Sequence, residues 1–203
     1  MQQLYQVIGT VVSLFQAVII IYYFMNISIY DHSYISDNLN RDMFFRVSIA
    51  LTIAIQYVLL VLYLWRFIKA EVGLAVTGIV FIVISESGWC LLSSVFTQPS
   101  HLIGFAIFVT GLCIAWMCIL ILNFIQFDHD IRIHILFTLA IVFGLVYSMF
   151  YAMYNEISWF YEHIGMIFFT LTNVYFFLHH DPNPKATVWV SEKLMPTCPY
   201  DRL

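Results

Sequence analysis

Six long stretches of this chain carry almost no polar side chain, and brief polar interruptions separate them. The apolar runs span 6–25, 44–65, 72–96, 102–125, 133–154 and 157–178. Each reaches about 20 residues, the length an α-helix needs to cross ~30 Å of hydrocarbon at ~1.5 Å per residue. The interruptions read as turns. Thr97-Gln98-Pro99-Ser100 supplies turn chemistry between the third and fourth runs, and Asp128-His129-Asp130 separates the fourth from the fifth by charge. Only Asn155-Glu156 divides the last two. A tight helical hairpin is expected there, because one merged helix would overshoot any bilayer. The pattern predicts an all-α polytopic membrane protein, a six-helix transmembrane bundle over 1–178. A tail over 179–203 follows, and Pro182, Pro184, Pro196 and Pro199 prevent it from forming one helix.

Composition agrees. Of 203 residues, 62% are hydrophobic and 10% charged, with mean hydropathy +0.88, against about 25% charged in soluble domains. A net charge of −4 with 8 Lys and Arg leaves no basic surface for nucleic acid. With six spans, one side of the membrane receives Arg66, Lys69, Arg132, Lys185, Lys193 and Arg202, and the other Arg41 and Arg46. That bias places both termini in the cytosol. The first run has no Lys or Arg before it and no small-residue cleavage site after it, so it reads as a retained span. Asn26-Ile27-Ser28 is then a glycosylation sequon facing the lumen or exterior, close to the membrane. Tyr22, Tyr23, Trp65, Tyr151, Tyr154 and Trp159 cluster near span ends, as interfacial belts do.

The cysteines form no disulfide framework. Cys90, Cys113 and Cys118 lie in apolar runs and Cys198 in the tail. The sets Asp128, His129, Asp130, His134 and His179, His180, Asp181 match no metal-ligand spacing, so neither metal nor cofactor is expected. On the fourth span Gly104, Gly111, Ala115 and Cys118 recur at steps of seven, four and three, so they share a face on which a neighbouring backbone can approach closely. The third span carries Gly73, Gly78, Ser85, Gly88, Ser93 and Ser94, and these two helices are expected to pack centrally.

Ionisable residues at membrane depth cost roughly 2.5–3.5 kcal/mol each on insertion scales, so they mark the places where function is sought. Glu86 stands about ten residues from the outer end of the third span, and Glu162 about five from the outer start of the sixth, with His163 beside it. Both belong to the exterior half. His101 opens the fourth span, Asn173 returns to the face of Glu162, and Gln56 in the second span can turn to the same interior. Together they outline a polar pocket. Its chemistry has three readings: acid–base work on a lipid ester or head group, binding of a cation or cationic head group, or a buried hydrogen-bond network that fixes helix packing. No serine elbow, HExxH or other nucleophile signature supports hydrolysis, which weighs against an enzyme.

These residues resemble the six-span superfamily called FRAG/DRAM/SFK, which includes autophagy modulators, post-GPI-attachment proteins and the CWH N-terminal domain. Tyr34-Ile35-Ser36-Asp37 is similar to the motif before the second span of the autophagy-modulator branch. Glu86 and His101 resemble an acid and a histidine of the GPI branch, Tyr161-Glu162-His163 the Glu-aromatic pair of both, and Asp181 the acid closing the last helix. Asn38-Leu39-Asn40-Arg41 replaces the Gly/Pro-rich continuation of the autophagy branch. The resemblance implies residence in the plasma membrane or in Golgi or lysosomal endomembranes. It also implies a role in lipid remodelling or in regulation of lipid and autophagy pathways.

The resulting expectation is a non-enzymatic membrane regulator or accessory subunit that binds membrane lipids, partner membrane proteins, or both. The alternatives are a GPI-anchor lipid-remodelling factor using the Glu/His pocket, and a channel or transporter. For the last there is no Arg-rich sensor, filter-like loop or inverted repeat.

Overall fold

The structure is a computed structural model and describes residues 2–94, 100–126, 131–153 and 157–179. The Asp128-His129-Asp130 stretch, Asn155-Glu156, Cys198 and the proline-containing tail lie outside the described residues. Among those described, every regular element is a helix. The order is α1 (Gln2–Tyr23), a π-helical turn (Phe24–Ser28), α2 (Ile29–Asp31), α3 (Ile35–Arg41), α4 (Met43–Phe67), α5 (Val72–Ser94), α6 (Ser100–Gln126), α7 (Ile131–Ala152) and α8 (Ser158–His179).

Five of these stretches are long and apolar enough to cross a membrane: Leu4–Asp31, Met43–Phe67, Val72–Ser94, Ile103–Ile125 and Arg132–Tyr151. The chain is thereby a multi-pass membrane protein. Helix α8 matches the sixth apolar run in position and length but is more polar. It carries Glu162, His163 and Asn173, and it buries all three.

The long helices form a ring. Helix α6 packs along α5, α5 on α4, α4 on α1, α1 on α8 and α8 on α7. Helices α6 and α7, at the two ends of this series, meet through aromatic side chains, Phe105 on Tyr147 at 5.5 Å and Trp116 on Phe137 at 5.7 Å, with few close approaches of their backbones. The tightest seam is α5 against α6, and glycines make it. A Cβ on Gly88 would sit 2.3 Å from the Phe108 backbone nitrogen, one on Gly104 2.7 Å from that of Leu92, and one on Gly111 2.8 Å from that of Ser85. Lipid tails are as apolar as leucine, so helices in a bilayer associate through such close backbone packing and through hydrogen bonds. Ala115, fully buried, continues the same α6 face. Inside the ring the core is aromatic. Phe176 of α8 meets Tyr63 of α4 at 4.9 Å and Trp116 of α6 at 5.3 Å, both edge-on, and all three side chains are fully buried. Outside, Leu14, Val58, Val83, Phe124, Leu145 and other large apolar residues are exposed, the surface that hydrocarbon covers.

The segment between α1 and α4 is folded back onto the bundle. The π-helical turn carries α1 beyond Tyr23, and the Ile29 N–H reaches the Phe24 carbonyl, the i→i+5 bond of a π-bulge. His32, in left-handed conformation (φ 54°), ends α2. Asp31 Oδ1 accepts from the Ser33 N–H at 3.1 Å, the Asx turn that short acidic side chains form. Asp37 Oδ2 accepts from the Tyr34 N–H at 3.0 Å, reaching back from the first turn of α3. Asp42 then caps α4 by accepting from the Phe44 and Phe45 N–H groups at 2.8 and 3.3 Å, and it also receives the Tyr23 hydroxyl. These bonds explain why a linker that reads as a short loop is instead ordered as a small helix.

Candidate functional site

Helix α8 brings Glu162 and His163 to the end of the bundle that α3 covers. His163 is fully buried. Its Nδ1 lies 2.8 Å from the Trp159 carbonyl, which can only accept, so Nδ1 carries the proton and donates. Nε2 is then the acceptor and receives the Ser28 hydroxyl at 3.1 Å. Ser28 Oγ in turn accepts from Asn38 Nδ2 at 2.9 Å. Ser33 Oγ lies 3.2 Å from Ser28 Oγ and 3.3 Å from Asn38 Oδ1, closing the cluster. Each of these bonds joins buried groups, where leaving one partner unmade costs about 1–3 kcal/mol. The network therefore fixes α3 and the π-helical turn onto α8. His32 stacks on Trp159 at 5.2 Å in the same region.

Glu162 is nine-tenths buried and accepts at Oε2 from the Ile35 N–H at 2.8 Å. Ile35 is the first residue of α3, so the carboxyl satisfies one of the donors that a helix N-terminus leaves open. Tyr34 reinforces the dock by pairing its hydroxyl with Ser158 Oγ. The two sequence features Tyr34-Ile35-Ser36-Asp37 and Tyr161-Glu162-His163 thus meet in space.

A cavity of about 170 Å³ begins at Glu162 and runs between α6, α7 and α8. Phe105, Leu112, Phe137, Ile141, Met166 and Phe169 are among the apolar side chains around it. Glu162 is the one acidic residue among the described residues that line it, and Tyr147 adds the other polar group at that end. Gly144 and Gly165 leave the α7 and α8 walls open. A Cβ on Gly144 would meet nothing within 4 Å, and one on Gly165 would come no nearer than 3.4 Å to any neighbour.

The other sequence-selected residues stand elsewhere. Glu86 is half-buried on α5 beside Tyr57, does not line the cavity, and has no hydrogen-bond partner at its buried Oε2 among the described residues. Its neighbour Ser85 links three helices, receiving the Tyr57 hydroxyl at 2.6 Å and donating to the Phe108 carbonyl at 2.8 Å. Gln56 joins α4 to α1 by donating to Ser13 Oγ at 3.0 Å and Gln16 Oε1 at 2.7 Å. Asn173 is buried on α8, with both amide atoms unpaired among the described residues. His101 stands in the first turn of α6, and its side chain lies outside the described residues. Asn26, exposed, donates its amide to the Tyr22 carbonyl at 2.9 Å from within the π-helical turn. Among the described residues no three His, Cys, Asp or Glu side chains gather as metal ligands, and Cys90, Cys113 and Cys118 are free thiols.

Sequence reasoning did not single out Ser28, Ser33, Asn38, Tyr147 or Ser158. Ser28 was visible only as part of a sequon, and no local pattern marks a serine that will face a histidine 135 positions later.

No family model, curated protein or solved structure matches the chain.

Proposed function

We propose that this protein is a non-enzymatic six-span membrane protein that holds a lipid in the cleft between α6, α7 and α8. In this reading α8 is the sixth span. Its polar residues are tolerated because α1 and α7 shield them, and ionisable groups inside a membrane are kept facing the bundle. Both termini then lie in the cytosol, and α3 lies on the opposite side. The observation that carries the proposal is the cavity itself. An apolar hollow with one acidic side chain at its end, placed where two neighbouring helices meet only through side chains, has the shape and polarity of an amphiphile site.

Catalysis is the weaker reading because the two groups it needs are engaged. His163 uses both ring nitrogens in the network that seats Ser28, and Glu162 is committed to Ile35. The resemblance to the FRAG/DRAM/SFK superfamily is consistent with a regulator or accessory subunit in plasma membrane or endomembranes, acting through bound lipid and partner proteins.

The test is to fill the hollow. Gly144→Leu adds a side chain where space is free, so the fold is expected to survive. Native mass spectrometry of protein released from nanodiscs should show a lipid adduct on the wild type that is lost or reduced at least tenfold in the variant. Equal retention of lipid by both proteins rejects the cleft as the site.

A further inference from the structure

Two hydrogen-bonding groups stand together at one end of the cavity. Glu162 and Tyr147 both line it, both are nine-tenths buried, and Glu162 is close enough to act electrostatically on Tyr147. Glu162 holds the Ile35 N–H with Oε2 alone. Neither its Oε1 nor the Tyr147 hydroxyl has a hydrogen-bond partner among the described residues, yet both atoms keep accessible surface. Polar atoms this deep in a folded protein are almost always paired. Two that are not, at the end of an apolar hollow, point to a ligand group that pairs with them.

The shape of the hollow limits what else the ligand carries. The α3 segment closes the polar end, with Tyr34 edge-on to Tyr147 at 6.4 Å and Ile35 on Glu162. The side toward the bilayer is different. Between α6 and α7 the lining residues Phe105, Val109, Cys113, Ile141 and Gly144 are half-buried, and Leu145 is 64% exposed. The hollow therefore opens sideways, onto hydrocarbon. Its volume is about 170 Å³, and an apolar cavity of roughly 150 Å³ holds one benzene. That is room for a polar end and the first few carbons of one chain, and the rest of the chain must leave between α6 and α7. The two unpaired atoms limit the polar end in turn. A carboxyl oxygen accepts a hydrogen bond and a phenol donates one, and a hydroxyl answers both at once. An anionic end would meet Glu162 with no Lys, Arg or His among the described residues lining the cavity. A cationic end would require two charges to be desolvated together in an apolar hollow, which their attraction repays poorly.

We propose that the cleft takes a single-chain lipid ending in an uncharged hydroxyl, seated between Glu162 Oε1 and the Tyr147 hydroxyl, with its chain leaving sideways between α6 and α7. This rests on the reading of the cleft as a lipid site and adds the class of ligand. Long-chain alcohols and monoacylglycerols share the chemistry.

The experiment uses the full chain in nanodiscs whose matrix is phosphatidylcholine. Wild type, Tyr147→Phe and Glu162→Gln are titrated with a long-chain alcohol, its methyl ether, the amine and carboxylate of the same chain, and a monoacylglycerol. Occupancy is read by native mass spectrometry. Phenylalanine keeps the ring against Tyr34 and Phe105 and removes only the hydroxyl. Glutamine keeps an oxygen for the Ile35 N–H and replaces the other with a donor. Thermal unfolding of each variant verifies that the packing is retained. Wild type should take up the alcohol or the monoacylglycerol at least fivefold better than the ether, amine and carboxylate, the factor that one ordinary hydrogen bond supplies. Both variants should lose most of that preference. Whichever of the two hydroxyl compounds binds identifies the source. Equal uptake of all ends, a preference for the amine or the carboxylate, or a hydroxyl preference unchanged in either variant overturns the hydroxyl assignment, and the cleft stands as a lipid site if Gly144→Leu lowers uptake. Uptake of none, or uptake that Gly144→Leu leaves unchanged, overturns both.

Discussion

Single side chains decide how the segment between the first two long helices is held. Ser28 donates to His163 and receives Asn38, while Glu162 and Asp37 each satisfy an N–H at the start of α3. Asp42, at the surface between α3 and α4, works in the same way. The Tyr23 hydroxyl, followed by the Phe45 and Phe44 N–H groups, holds its carboxyl below the usual carboxylate range. A carboxyl with a lowered folded value contributes stability that is complete above its unfolded value, near 3.9, and is lost as pH falls through the folded one. Thermal unfolding in detergent should therefore begin to drop below about pH 4, and Asp42→Asn should flatten that part of the profile. An unchanged slope in the variant would assign acid sensitivity elsewhere. The pairings of Ser28 with His163 and of Ile35 with Glu162 are not legible in the sequence, because each joins residues by a fold that brings distant turns together. What the sequence did disclose was the cost of placing Glu162 and His163 in an apolar run, and both side chains are buried on α8.

At the level of helices, length and spacing were informative. The six apolar runs correspond to α1 and α4–α8 with ends displaced by a few residues, since apolar length is what a bilayer selects. The small-residue face of α6 was readable from periodicity, and the geometry of the seam follows from three glycines at backbone contact, Gly104 and Gly111 on α6 and Gly88 on α5. Replacing Gly88 by Ala tests the seam. Its Cβ would fall 2.3 Å from the Phe108 nitrogen, so α5 and α6 would have to separate. A loss of about 1–3 kcal/mol, the usual range for overpacking, is expected in reversible unfolding, whereas Gly73→Ala, with no atom within 4 Å, should cost only what its own helix imposes. Equal effects at the two positions would show that the seam is not tight. The helix α3 was not foreseen. Polar residues on either side of Leu39, Ser36-Asp37-Asn38 and Asn40-Arg41-Asp42, read as linker, and only the bonds made after docking turn them into structure.

The molecule as a whole is a ring whose widest backbone separation, between α6 and α7, is bridged by aromatic side chains and coincides with the cavity. The sequence located Glu162 near one end of the bundle but could not show that Glu86 lies on a different helix interface. Helical phase fixes a side chain's direction on its own helix and leaves the placement of neighbours open. Topology is testable at this scale. If α8 crosses the membrane with the other five, tags at the two termini will be accessible from the same side, and a cysteine at Arg41 will be labelled from the opposite one. Termini on opposite faces would mean that α8 stays within the protein without spanning.

The π-helical turn at Phe24–Ser28 absorbs one residue more than an α-helical turn would before the chain continues. It acts as a phase shifter. The serine that meets His163 is the last residue of that turn, so its direction depends on a backbone count upstream of it. The length of this short stretch, more than the identity of its side chains, therefore sets the angle at which the outer segment returns to the bundle.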